Sequence, residues 1–376
     1  MNILILHGSS DLYGASKILL VTVCLMKKKG HTPIVVLTED GPLVKELQDD
    51  GIEVVFIRLG ILRRKYKSLS GLLNRLLVLR KAFYAIKKLI RDKQVSLVYS
   101  NTTAVLAGAF AARSLKVKHL WHVHEIIESP GWLYRFLGNL LNKYSDVVIV
   151  VSHAVQKSWG RFVSEEKLCL IYNGIDYSPY QLPSKKLRTE LGVSDDIVII
   201  GMVGRVHFWK GQDYFLQIAA ELSKRVHNIR FVMIGDVFPG YEYLYENLTL
   251  IQKQAQIESI VTDLGYRSDV SELMQGFDIF VLPSTAPDPF PTVILEAMAS
   301  AKPVVATNQG GALEMVDENS TGLFIELNNP EKASLQVEKL VKNRELRIQM
   351  GKAGRQKVLA AFSKEAFENK LIKVLE

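Results

Sequence analysis

Residues 283–296, PSTAPDPFPTVILE, place two acids, Asp288 and Glu296, eight positions apart. The segment leaves an apolar strand-like run, FDIFVL, crosses a Pro-rich turn and enters a helix-like run, TVILEAMASA. A helix start presents unpaired backbone N–H groups, here those of Thr292 and Val293, which can take phosphate oxygens, and carboxylates accept hydrogen bonds from sugar hydroxyls. The pattern suits a ligand that is both polyol and anion; the plain alternative is a surface loop with ordinary helix caps. Arg205 and Lys210, in IIGMVGRVHFWKGQDYFLQIA, sit in a basic loop between strand and helix. Two fixed cations there can neutralise a diphosphate as it leaves, without a bound metal. The alternative is a solvated turn. A Walker A loop would need GxxxxGK followed by Ser or Thr, which is absent, so an ATPase reading fails.

His122 and His124, in LWHVHE, fall on one side of a strand by alternation. One can reach a site at the strand end while the other braces it, or both are structural. No convincing third ligand adjoins them and no CxxC pair exists, so no metal site is expected. Gly14, in SSDLYGASK, permits close backbone approach to a phosphate or sugar. The loop is not a GxGxxG fingerprint, which counts against an NAD enzyme.

These residues need strand ends and helix starts to hold them, and the chain supplies both. The N-terminal half alternates NILILHG, a helix from Gly14 to Lys29, TPIVVLT, a helix from Leu43 to Asp50, IEVVFIRL, long basic helices, SLVYSN, TAVLAGAFAARSL, KHLWHVHE, a helix from Trp132 to Tyr144, and DVVIVVS. A turn-rich, polar stretch at residues 173–196 marks a boundary. A second alternation follows: IVIIGMVG, a helix from Gln212 to Arg225, IRFVMIGD, a mostly helical span from Leu244 to Leu264 with a strand around Ile260–Thr262, FDIFVLP, KPVVAT, TGLFIE, and helix from about Ala333 onward. Such alternation predicts parallel sheets covered on both faces, with ligands beyond the C-terminal ends of the strands.

At 376 residues the chain is long enough for two domains. The N-terminus lacks a basic n-region, and no run reaches about 18 apolar residues, so neither a signal peptide nor a membrane span is expected. Two cysteines, Cys24 and Cys169, suit a reducing, cytoplasmic setting. The net charge of +8 is uneven: residues 58–93 hold twelve Lys/Arg against one acid, Asp92. Aromatic residues do not interleave with these charges, which disfavours nucleic acid. Leu69, Leu72, Leu73, Leu76, Leu77, Phe83, Ile86 and Leu89 recur there at near-helical spacing. The segment is either an amphipathic helix lying peripherally on an anionic membrane, at the inner face of the plasma membrane, or a helix whose leucines face the protein's own core.

Residues 288–296 resemble the E-x7-E motif of retaining GT-B glycosyltransferases of family 4 (glycosyl transferases group 1), of the bacterial polysaccharide-biosynthesis type, with Asp288 replacing the first Glu. Arg205 with Lys210-Gly211, His122 with Glu125, Gly14, and Gln309-Gly310-Gly311 with Glu314 follow in the family's order, and the likeness spans nearly the whole chain. It implies two Rossmann-like doubly wound parallel-sheet domains facing an interdomain cleft. Residues 1–180 would form the acceptor side, 181–361 the nucleotide-sugar donor side, and 362–376 a helix returning to the first domain. It further implies retaining hexosyl transfer from a nucleotide diphosphate sugar, UDP-glucose or a related UDP-hexose by family frequency, to a hydroxyl of a glycan or polyprenyl-linked glycan. Glu296 would hold the ribose, while His122 and Asp288 would position the sugar. Arg205, Lys210, Thr292 and Val293 would take the diphosphate, Tyr266 or Arg267 would cover the base, and Asn101 and Asn173–Asp176 would line the cleft or crossover. The family usually shows Gly-Gly where this chain has Gly14-Ala15. Asp288 is one methylene shorter than Glu, which leaves the identity of the sugar open and admits a binding protein without turnover as the alternative.

Overall fold

The computed structural model describes residues 1–61, 69–127, 129–238 and 240–376. The chain forms two compact units, Met1–Ile175 with Lys364–Glu376, and Asp176–Ser363.

In the first unit the described residues form a seven-stranded parallel sheet. Its strands are β1 (Asn2–His7), β2 (Thr32–Leu37), β3 (Glu53–Phe56), β4 (Leu97–Asn101), β5 (Lys118–Val123), β6 (Val147–Val150) and β7 (Leu168–Leu170), in the order β3-β2-β1-β4-β5-β6-β7. Helices α1 (Gly14–Lys28), α2 (Pro42–Asp49), α3 (Leu69–Asp92), α4 (Ala107–Leu115), α5 (Gly131–Tyr144) and α6 (His153–Trp159) connect them. The central strands are near-continuous apolar runs because both faces are covered: Ile3, Leu4, Ile5 and Leu6 of β1 are fully buried.

The second unit has a six-stranded sheet from β8 (Val198–Val203), β9 (Ile229–Ile234), β10 (Val261–Asp263), β11 (Ile279–Leu282), β12 (Val304–Thr307) and β13 (Gly322–Ile325), ordered β10-β9-β8-β11-β12-β13. Its helices are α7 (Lys186–Leu191), α8 (Gln212–Ser223), α9 (Tyr243–Ala255), α10 (Val270–Met274), α11 (Thr292–Ala299), α12 (Ala312–Met315), α13 (Pro330–Lys342) and α14 (Arg344–Ala361). The last helix, α15 (Lys364–Leu375), buries Phe367, Leu371 and Leu375 and belongs to the first unit. Each sheet reverses its strand order once, between β1 and β4 and between β8 and β11, the doubly wound arrangement that opens a crevice at the strands' C-terminal ends.

Some elements differ from the sequence reading. Strand β7 and helix α6 occupy residues with no assignment there, because LCL is a three-residue, half-buried edge strand with no alternation to read. The span Leu244–Leu264 is helical only to Ala255 and breaks at Gln256, which adopts a left-handed cap at φ 56°, while the strand expected around Ile260–Thr262 is β10. The polar boundary also contains a short helix, α7, ending on Gly192.

The core-facing reading of the basic segment holds for the later turns of α3. Ala82, Ile86 and Ile90 are buried, with Phe83 and Leu89 packed on the same core. One to two turns earlier Leu73, Leu76 and Leu77 are 58%, 61% and 61% exposed. Arg63, Arg64, Lys65, Lys67 and the side chains of Leu69 and Leu72 lie outside the described residues.

Candidate active site

Three loops of the second unit lock together after β8, β11 and β12. Gly211, at φ +85°, lies so close to the Pro283 carbonyl that a Cβ would come within 2.0 Å of it. Thr285 N–H donates to the Trp209 carbonyl at 2.9 Å, and the Thr285 hydroxyl donates to the Phe208 carbonyl at 3.1 Å. Gly310, at φ +60°, is pressed on Asp288: an added Cβ would meet the Asp288 carbonyl at 2.3 Å, while Gly311 N–H donates to that oxygen at 2.7 Å. Only glycine meets both demands, positive φ and no side-chain volume.

This clamp aims the side chains. Lys210 Nζ pairs with Asp288 Oδ2 at 2.5 Å, with only 18% and 9% of the two side chains exposed. The Lys210 ammonium also lies 4.4 Å from the centre of the Trp209 ring. The Arg205 guanidinium stacks 3.3 Å from the centre of the Phe238 ring. Gln212, buried at the start of α8, donates to the Arg205 carbonyl at 3.0 Å and accepts from His207 N–H at 3.4 Å, tying the loop to the helix. Nothing in the sequence reading singled Gln212 out; its place immediately after Lys210-Gly211 is the available signal.

Helix α11 begins four residues after Asp288, with Pro291 at its cap and Thr292 and Val293 in its first turn. Glu296, one turn further, is buried and hydrogen-bonded to the Tyr180 hydroxyl. Burial first, then the Glu296 carboxylate, pushes the Tyr180 phenol above its ordinary range. Tyr180 comes from a 3-10 turn at Ser178–Gln181, inside the stretch read as boundary, so only the tertiary fold brings it to the acid. Beside β8, the loops after β9 and β10 are joined by Gly235 N–H donating to the Gly265 carbonyl at 2.8 Å. Tyr266 on that rim is 54% exposed. Arg267 is committed to Glu190 at 2.9 and 3.0 Å and to Asp269 at 2.6 and 2.8 Å.

The first unit gathers a polar relay at its strand ends. His124 Nε2 lies 2.9 Å from Asn101 Oδ1, Asn101 Nδ2 3.0 Å from His7 Nδ1, and His7 Nε2 3.0 Å from Ser16 Oγ. The Ser16 hydroxyl donates to Asp11 Oδ1 at 3.1 Å. Because the Asn101 amide N–H also faces the Ala15 carbonyl, the donor direction is fixed. His7 then accepts at Nδ1, carries its proton on Nε2 and is neutral, and His124 donates from Nε2. Burial lowers His7 to about 4 and His124 well below its usual value.

His122 is fully buried within β5, its Nδ1 2.5 Å from the Tyr99 hydroxyl and its Nε2 without a hydrogen-bond partner. His124, one residue past the strand, is partly exposed. Glu125 accepts from the N–H groups of Thr103 and His124, and burial raises it to about 7. Gly14 opens α1, and a Cβ there would meet nothing within 4 Å. Asn101 was read from the sequence as a cleft-lining residue; His7 was not, although a histidine closing the apolar run NILIL is the signal. Among the described residues no group of three or more His, Cys, Asp or Glu is placed to hold a metal ion.

Two doubly wound sheets, the second with paired charges, a helix N-terminus and a buried acid at its strand ends, define an α/β protein whose second unit suits a nucleotide-type ligand. The comparisons give its family: residues 183–357 match Glycosyl transferases group 1 and residues 14–178 match Glycosyltransferase Family 4, so the chain belongs to the GT-B glycosyltransferases of these families. A Campylobacter jejuni N,N'-diacetylbacillosaminyl-diphospho-undecaprenol alpha-1,3-N-acetylgalactosaminyltransferase is 27% identical over 351 residues, 85% of this chain and 89% of that protein. The Escherichia coli UDP-Gal:alpha-D-GlcNAc-diphosphoundecaprenol alpha-1,3-galactosyltransferase is 24% identical over 342 residues, 86% of this chain and 84% of that protein. Anabaena HepE, solved with UDP-glucose, superposes with a TM-score of 0.88 at 25% identity, covering 100% of this chain and 99% of HepE.

Proposed function

We propose that this glycosyltransferase moves a hexose from a UDP-hexose, UDP-glucose being the first candidate, to a hydroxyl of a glycan or polyprenyl-linked glycan, with retention at the anomeric carbon. The observation that carries this reading is the Lys210–Asp288 pair held beside the start of α11, a cation and an acid placed together where a diphosphate and a sugar meet. Arg205, Lys210 and the first-turn amides of Thr292 and Val293 take the diphosphate, whose charge grows as the glycosidic bond breaks. Lys210 exchanges Asp288 for a phosphate oxygen, which frees the carboxylate to accept from sugar hydroxyls. Glu296, oriented by Tyr180, holds the ribose diol, and Tyr266 covers the base while Arg267 braces its loop. Of the two histidines, partly exposed His124 faces the sugar, and buried His122 supports it from within β5. Bound HepE and the undecaprenol-linked acceptors named for the relatives support donor and acceptor class respectively.

The first unit takes the acceptor, and exposed Leu73, Leu76 and Leu77, set in the basic segment, rest on an anionic bilayer where a polyprenyl-linked acceptor is anchored. Among the described residues no helix is long and apolar enough to cross a membrane.

Calorimetric titration of UDP, GDP and their glucose and mannose derivatives, with and without EDTA, tests the donor. Selective UDP binding that survives EDTA and collapses in Glu296→Ala is expected. A folded protein that binds none of the four would refute the donor assignment.

A further inference from the structure

The polar relay of the first unit has a direction, and its far end sets that direction. His7, Asn101 and His124 stand at or just past the ends of β1, β4 and β5, neighbours where the strand order reverses. His7 and Asn101 are register partners, which puts both side chains on one face of the sheet. Asp11, in the loop before α1, accepts from the Ser9 hydroxyl at 2.7 Å, the Tyr13 N–H at 3.0 Å and the Ser16 hydroxyl at 3.1 Å. The Ser16 hydroxyl gives its single proton to Asp11, so its oxygen is left to accept from His7 Nε2. Neutral His7 accepts at Nδ1 from the Asn101 amide, whose oxygen faces His124 Nε2. Burial first, then His122 and His7, holds His124 neutral. A neutral imidazole that donates from Nε2 has a bare lone pair on Nδ1. Among the described residues that nitrogen has no hydrogen-bond partner, and His124 is partly exposed. The chain thus satisfies His7, Ser16 and Asn101, each at most 2% exposed, and leaves one acceptor open at its outer end.

We propose that Asp11, Ser16, His7 and Asn101 are positioning residues that fix His124 as the Nε2–H tautomer, so that its Nδ1 accepts a hydrogen bond from a hydroxyl of the hexose. The choice of the hexose rests on the reading of His124 as the residue that faces the sugar. The Asn101 amide does not pass a proton on, so the chain orients His124 and shuttles nothing through it.

The test is NMR of the full chain with isotope-labelled histidine nitrogens, His7 and His124 being assigned from His7→Gln and His124→Gln. Both rings should carry the proton on Nε2, and UDP-glucose, but not UDP, should shift the His124 Nδ1 resonance. Asn101→Ala should leave His124 in mixed tautomers and weaken UDP-glucose binding about tenfold while UDP binding holds. Asn101→Asp keeps the shape of the site and serves where Asn101→Ala does not fold. Its carboxylate accepts from both rings, so the His7 proton moves to Nδ1 and His124 titrates at a higher pH than in wild type. UDP-glucose affinity should then fall on acidification, because a protonated Nδ1 cannot accept. His7, His122 and Glu125, the other titratable groups described against His124, are present in both proteins, so the difference between the two profiles reads the change at position 101. A proton on Nδ1 of wild-type His124 overturns the proposal. So do Asn101 variants that keep the tautomer, the titration and the UDP-glucose affinity of wild type, or bound UDP-glucose that leaves the Nδ1 resonance where UDP leaves it. If UDP-glucose does not bind at all, the donor reading fails, and the ligand-free tautomers of wild type and Asn101→Asp decide the role of the chain by themselves.

Discussion

Lys210 Nζ lies 2.5 Å from Asp288 Oδ2, so the cation proposed for the leaving diphosphate holds the acid proposed for the sugar. Each orients the other in a site that exposes little of either. Lys210→Ala should lower kcat/KM by about 10²-fold or more, because the stabilisation it gives grows with the leaving charge. Asp288→Ala should cut kcat while leaving UDP affinity within about threefold, since it frees Lys210 for the phosphates. Steady-state kinetics with UDP titrations separates the two; equal loss of UDP binding in both variants would contradict partner exchange.

Two glycines with opposite surroundings give a contrast. Gly310→Ala forces a Cβ to 2.3 Å from the Asp288 carbonyl at φ +60°. It should cost about 1–3 kcal/mol in urea unfolding and weaken UDP binding. Gly14→Ala meets nothing within 4 Å and lies in the first turn of α1. It should leave stability unchanged or slightly raised, yet reduce transfer if a ligand approaches that backbone.

Tyr180→Phe removes the hydroxyl hydrogen-bonded to buried Glu296. UDP affinity should fall by about tenfold, the value of one hydrogen bond to a charged group, with the fold intact. Unchanged affinity would detach Tyr180 from ribose binding.

The buried titratable groups of the first unit predict a two-sided pH profile. His7 and His119 are lowered to about 4 and His122 to about 3, each mainly by burial. Their neutral forms favour the fold fully above pH 6.5, and that stability is lost as pH falls from there toward 4, while the unfolded chain takes up the protons. Glu125, raised to about 7, acts in the opposite sense: the fold prefers the protonated acid, so stability declines as pH rises from about 4.5 through 7. Glu125→Gln should therefore raise the melting temperature at pH 8 and change it little at pH 5. Melting curves across that range check both signs.

The strands and helices were legible wherever apolar runs are long and bounded by turns, as in β1, β8 and α8. The pairings were not. Asp288 and Lys210 are 78 positions apart, and Tyr180 and Glu296 meet only because a 3-10 turn folds back on α11. Glycines at 211 and 310 were visible as turns, but the carbonyls they press against were not. The two histidines read alike in LWHVHE; the register of β5, which ends at Val123, sets one inside the sheet and the other at its rim.

The return of α15 to the first unit has a consequence for biosynthesis. Phe367, Leu371 and Leu375 complete a core whose other members lie within residues 1–175, so the half made first on the ribosome is finished last. The second unit, continuous from Asp176 to Ser363, can fold as it emerges, while the first must hold an apolar surface open until the final helix leaves the exit tunnel. Loss of residues 364–376 would therefore injure the unit built from residues 1–175 and spare the one that α15 adjoins in sequence.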